Sequence, residues 1–114
     1  MVLSEFERKR IEKVFTAYCA KKASGHDREQ VTVEFGVLGN EVTLFETRPH
    51  CQERGSWIAG NIARFKKDPA TNCWQLYCAG RNGDWHLFRP YPISIDIEKL
   101  LAVVDKDSTG VFWG

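Results

Sequence analysis

Val31-Thr32-Val33-Glu34-Phe35-Gly36-Val37-Leu38-Gly39-Asn40-Glu41-Val42-Thr43-Leu44-Phe45-Glu46 is the stretch that decides the fold. Over 30–37, Val31, Val33, Phe35 and Val37 alternate with Gln30, Thr32 and Glu34. A period of two places the apolar set on one side of an extended strand. Gly39-Asn40 then supplies two residues that tolerate positive φ, as a tight hairpin requires. A second strand returns from about Glu41 to Arg48 and ends at Pro49, which cannot donate to a ladder. With a two-residue turn, Val37 faces Val42, Phe35 faces Leu44, Val33 faces Glu46 and Val31 faces Arg48.

Upstream of this hairpin, residues 4–22 read as a helix. Ser4 and Glu7 form an S-x-x-E capping box, which satisfies free N–H groups of the first turn. Ile11, Val14, Phe15 and Tyr18 make one apolar stripe. Acidic Glu5 and Glu7 at the start and basic Lys21 and Lys22 at the end suit the helix dipole. Gly25 is a stop signal.

Downstream, 50–56 is a polar loop. A third strand is expected from about Ile58 to Lys66 and a fourth from Cys73 to Ala79. Asn82-Gly83 marks a second hairpin, with a fifth strand from Trp85 to Arg89. Pro90 and Pro92 end the sheet. Ile97, Leu100, Leu101 and Val104 repeat the helical stripe, with Ser94 or Asp96 as N-cap. The expected fold is therefore α+β: an N-terminal helix, a five-stranded antiparallel meander sheet and a C-terminal helix, in a single domain over 1–114.

Several of these segments resemble an uncharacterised bacterial family, the domain-of-unknown-function family 3024. The carriers are Glu7-Arg8-Lys9-Arg10-Ile11-Glu12, Gly39-Asn40-Glu41-Val42-Thr43-Leu44-Phe45-Glu46, and Arg48-Pro49-His50. They continue with Trp74-Gln75-Leu76-Tyr77, Arg81-Asn82-Gly83-Asp84-Trp85-His86, and the closing Asp105-Lys106-Asp107 to Gly110-Val111-Phe112-Trp113-Gly114. The resemblance spans essentially the whole chain and implies no activity.

Composition narrows the function classes. The 114 residues are 43% hydrophobic, with seven Phe, four Trp and three Tyr. That is enough apolar surface for a core without disulfide or metal support. Sixteen basic and fifteen acidic residues leave a formal charge of +1, which argues against a general nucleic-acid coat or a polybasic membrane binder. No apolar run approaches the ~20 residues that span a bilayer. Met1-Val2-Leu3-Ser4-Glu5 lacks the regions of a signal peptide, so a cytoplasmic location is expected, with Cys19, Cys51, Cys73 and Cys78 reduced.

No catalytic constellation emerges. There is no nucleophile elbow and no Gly-rich phosphate loop. Zinc needs four close N or S ligands, but Cys73 and Cys78 point to opposite sides of one strand. Neither metal nor cofactor is expected. Asp105-Lys106-Asp107-Ser108-Thr109-Gly110 mimics the start of a calcium loop but lacks the bidentate Glu at its twelfth position. It reads instead as a polar helix end.

Three groupings remain. Glu46 and Arg48 are i, i+2 neighbours on the apolar side of the second strand. Charges there must pair or open into a cleft, either as a rim ion pair or, with His50, as a ligand pocket. The second hairpin makes both sheet sides aromatic. A two-residue turn at Asn82-Gly83 places Arg81 opposite Asp84, Ala79 opposite His86, Cys78 opposite Leu87 and Tyr77 opposite Phe88. Trp85 and Leu87 then join Trp74, Leu76 and Cys78, and Tyr77, Phe88 and His86 share the other side. Finally, Val111-Phe112-Trp113 is an apolar tail that is expected to insert into the domain or into a second copy.

Five strands at about 4.8 Å make a sheet roughly 20 Å wide. Two helices of about 10 Å cover one side of it. Phe45, Tyr77 and Phe88 on the other side need a cover: the 49–57 loop, the tail with Trp113, a second subunit in a homodimer, or a ligand. Arg48, Arg64, Arg81 and Arg89 nearby suit stacked bases or an anionic partner. The expected function is a small non-enzymatic binding or interaction module. The alternative is a small enzyme with a Glu46/Arg48 site for an anionic or nucleotide-like substrate.

Overall fold

A computed structural model describes residues 3–25, 32–49, 57–80 and 83–112. The chain runs α1 (Glu5–Gly25), β1 (Thr32–Leu38), β2 (Glu41–Pro49), β3 (Trp57–Asp68), β4 (Cys73–Ala79), β5 (Trp85–Leu87), β6 (Ile93–Ser94) and α2 (Ile97–Lys106). Strands β1 to β5 form an antiparallel meander in sequence order, between an N-terminal and a C-terminal helix. The α+β expectation holds.

The first hairpin has the register read from the sequence: Val37 pairs with Val42, Phe35 with Leu44, and Val33 with Glu46. Of the two turn residues only Gly39 takes a positive φ, 61°, the pattern of a type II′ turn. Asn40 instead ties the turn to the next strand. Its side-chain Nδ2 donates to the Lys67 carbonyl at 2.6 Å, and its own carbonyl accepts from the Lys67 N–H at 3.0 Å.

Strand β3 is longer than expected and carries a bulge. Leu44 pairs with Ala63 but Phe45 pairs with Asn61, leaving Ile62 as the extra residue. The bulge turns Ile62, 3% exposed, into the core beside Ala63.

Two expectations for the end of the sheet are corrected. The second hairpin is not closed by a two-residue turn. The Gly80 N–H donates to the Asp84 carbonyl at 2.6 Å, and the Gly83 N–H donates to the Gly80 carbonyl at 3.2 Å. Three residues thus lie between the paired ends, with Gly83 at φ 82°, as in three-residue hairpins that finish on a left-handed glycine. The register moves by one: Ala79 pairs with Trp85, Cys78 with His86, and Tyr77 with Leu87. A one-residue slip exchanges the sides of a whole strand. Trp85 and Leu87 therefore lie with Tyr77, while His86 and Phe88 lie with Cys78 and Leu76.

Nor do Pro90 and Pro92 end the sheet. Strand β6 rejoins β4 beyond them, with Gln75 opposite Ile93 and Trp74 opposite Ser94. Leu76 bridges the gap, since its carbonyl accepts from the Phe88 N–H and its N–H donates to the Pro92 carbonyl. That contact uses only the carbonyl of Pro92, so the missing N–H of proline costs nothing.

Both helices supply the core on one side of the sheet. Ile11, Phe15 and Tyr18 of α1 are buried. The Phe15 ring lies 5.5 Å from Phe35 and 5.3 Å from Phe65. In α2, Ile97, Leu100, Leu101 and Val104 are buried, and Asp96 caps the helix by accepting from the Glu98 N–H at 3.0 Å. The calcium-loop mimic is a helix end. Asp107 adopts φ 45° and donates its N–H to Val103, and its carboxylate accepts from the Phe112 N–H. This hooks the tail back, and the Phe112 ring packs 4.9 Å from Phe88.

The helices are also joined by polar contacts. Arg10 of α1 reaches Glu98 at 2.7 Å and Asp96 at 3.6 Å. At the opposite end Asp105 receives Tyr18 Oη at 3.2 Å and Lys22 Nζ at 3.0 Å.

Candidate binding face

The side of the sheet away from the helices is assembled by register alone. Along β2 it presents Glu41, Thr43, Phe45 and Thr47. Arg64 stands opposite Thr43, and Lys66 opposite Glu41. Tyr77 stands opposite Arg64, and Gln75 opposite Lys66. Leu87 and Trp85 follow on β5, and Ile93 on β6. Period two makes this row the complement of the buried one.

At its centre the Arg64 guanidinium lies 4.4 Å from the Trp85 ring centroid. Arg64 Nε donates to Thr43 Oγ1 at 3.3 Å and stands 3.9 Å from a Glu41 carboxylate oxygen. Lys66 Nζ approaches the other Glu41 oxygen at 3.8 Å. The terminal nitrogens of Arg64 have no partner among the described residues. Tyr77 completes a shallow depression with Glu41, Arg64, Lys66 and Trp85. Planar stacking on an aromatic ring suits guanidinium and leaves its edge free to donate.

The residues singled out in the sequence fare differently. Glu46 is on the helix-covered side opposite Val33 and half-buried, with its Cγ about 3.8 Å from where a Cβ would stand at Gly60. Arg48 pairs with Ile58 two positions along β2, and its side chain lies outside the described residues, as do His50, Arg81 and Trp113. His86 is exposed but stands opposite Cys78, away from Tyr77, and its ring crowds Gly80. A two-residue turn puts Trp85 on the sheet side of Trp74, Leu76 and Cys78, away from Tyr77, and so hides the Arg64–Trp85 contact that the observed register makes. The three-residue loop signal, Gly80 followed by Gly83, was the clue to it.

Cys19, Cys73 and Cys78 are free thiols. Burial, with Glu34 adding to it, pushes the Cys19 thiol up to about 11. Among the described residues no three His, Cys, Asp or Glu side chains stand together as a metal site. None of the described helices is long and apolar enough to cross a membrane.

The class this architecture defines is an α+β domain with helices on one side of an antiparallel sheet and an aromatic, arginine-bearing surface on the other. The chain belongs to the DUF3024 family, a domain of unknown function, whose model matches residues 3–114. No curated protein and no solved structure matches it.

Proposed function

We propose that this chain is a non-enzymatic binding module that uses the sheet side left bare by its helices. The carrying observation is the Arg64 guanidinium over the Trp85 ring, beside Tyr77. Aromatic faces on a sheet accept flat rings, and a guanidinium with free terminal nitrogens accepts an anionic group. A ligand that alternates rings with anionic groups uses both, and single-stranded nucleic acid is the ligand class that does so. The near-neutral charge of the chain favours a few local phosphate contacts over a general coat.

The test is fluorescence anisotropy with a panel of short single-stranded oligonucleotides at low and moderate salt. Binding that weakens with salt and disappears in Trp85→Ala and Arg64→Ala supports the reading. Binding that survives both substitutions overturns it. A dimer in light scattering that dissociates in Trp85→Ala would instead make a second copy the occupant of this face.

A small enzyme working at Glu46 and Arg48 is the second reading. It is supported by a register that puts both positions on the helix side of β2.

A further inference from the structure

Lys67 is the buried charged residue among the described residues, with its side chain 10% exposed. Its position on β3, opposite Trp74 and in the row of Ala63 and Phe65, turns it toward the helices. The ammonium donates to a carboxylate oxygen of Glu7 and lies 5.7 Å from the Trp74 ring centroid. Glu7 is itself held by the α1 capping box, its N–H donating to Ser4 Oγ at 3.1 Å. An ammonium carries three N–H donors, and Glu7 is the one acceptor that the Lys67 ammonium has among the described residues. A desolvated donor without an acceptor is unfavourable.

The ammonium lines a cleft of about 130 Å³ between the first turns of the two helices. The lips of this cleft are Phe6, 81% exposed, and Ile95, 73% exposed. These are two of the most exposed large apolar side chains among the described residues, and they flank one opening. The charged groups lining it are Glu7, Arg10, Lys67 and Asp96, two of each sign. A cavity of roughly 150 Å³ takes a benzene ring, so this one is of ring size.

We propose that the cleft binds a small uncharged molecule with an apolar, ring-sized body and one oxygen acceptor, such as an aromatic amide or ketone. The acceptor fills a vacant Lys67 donor, and the ring lies between Phe6, Ile95 and the Trp74 wall. A carboxylate is disfavoured because it would share the ammonium with Glu7 at close range. A plain hydrocarbon leaves the donors unfilled.

The probes are benzamide, benzoate and toluene, each titrated into isotope-labelled protein and read by NMR at the Trp74 indole N–H. Benzamide is expected to give saturable shifts with an affinity about tenfold above the other two. Lys67→Met is expected to bring benzamide down to the toluene level. Phe6→Ala combined with Ile95→Ala, both at exposed positions, is expected to weaken all three without loss of folding. If Lys67→Met does not fold, the comparison of benzamide with toluene in the unaltered protein carries the same test. No saturable shift with any probe overturns the site. Benzoate as the tightest probe overturns the uncharged ligand, and equal binding of benzamide and toluene overturns the role of Lys67.

Discussion

The Arg64 guanidinium lies 4.4 Å from the centre of the Trp85 ring, so β3 and β5 are clasped across β4 on the side the helices leave bare. A cation–π contact at a partly exposed site contributes about 0.5–1 kcal/mol, and the Glu41 and Thr43 contacts of Arg64 are long, at 3.9 and 3.3 Å, and only half-buried. Arg64→Ala is therefore expected to lower unfolding free energy by about 1 kcal/mol or less while removing ligand binding. Urea denaturation beside anisotropy checks both. A loss above about 3 kcal/mol would mark Arg64 as a structural residue.

Phe112 is 7% exposed and packs on Phe88, held by the Asp107 carboxylate on its N–H. The Phe112 ring is thus a plug in the core of its own chain. Phe112→Ala is expected to cost about 3 kcal/mol, the usual range for a buried ring, at every protein concentration. A melting temperature that falls only on dilution would show that the ring is buried by a second copy instead.

The sequence was legible where turn length and burial pattern agreed. Gly39-Asn40 and the apolar row of β1 both required Val37 opposite Val42. In the second hairpin both sides of the strands carry aromatic residues, so hydrophobicity could not arbitrate between turn lengths. The Asn82-Gly83 pair suggested two residues where the chain uses three, and Trp85 and Phe88 exchanged sides. Strand β6 was hidden because Pro92 reads as a stop, although its carbonyl still serves β4. Lys67 was hidden for a different reason. Beside Lys66 at a strand end it reads as solvated, and its burial depends on Glu7, 60 positions away in the chain.

Asp105 joins the C-terminal ends of the two helices. The hydrogen bond from Lys22 holds its carboxyl below the ordinary value, against an opposing effect of burial, and the charge of Lys22, the Tyr18 hydroxyl and Lys21 add to the lowering. A carboxyl with a depressed folded value contributes stability that is present above its unfolded value, about 3.9. That contribution is lost as pH falls through the folded value. Asp105→Asn is expected to lower stability by roughly 0.5–1 kcal/mol at neutral pH. The difference from the unaltered protein should shrink towards pH 3. Thermal melts across that range give the answer, and a constant difference would mean that Asp105 acts through packing.

Cys19 offers the opposite sign. It is 8% exposed on the sheet side of α1, and burial, then Glu34, raises its thiol from 9.0 to about 11. The thiolate is the reactive form, so two effects follow. In the native protein at pH 8, iodoacetamide should modify Cys73, which is half-buried on β4, well before Cys19. In denaturant the two should react alike, and peptide mapping separates the sites. The second effect is on stability. An acid whose folded value is raised contributes stability that is fully present below its unfolded value and lost as pH rises through the folded one. Here that window runs from pH 9.0 to about 11. Cys19→Ala removes this titration along with some packing. The stability gap between the unaltered protein and Cys19→Ala should be constant below pH 8 and change across the alkaline window, which urea titrations at stepped pH would show. Alkylation of Cys19 at the rate of Cys73 in the native protein at pH 8 would mean that α1 leaves the sheet often enough to expose the thiol.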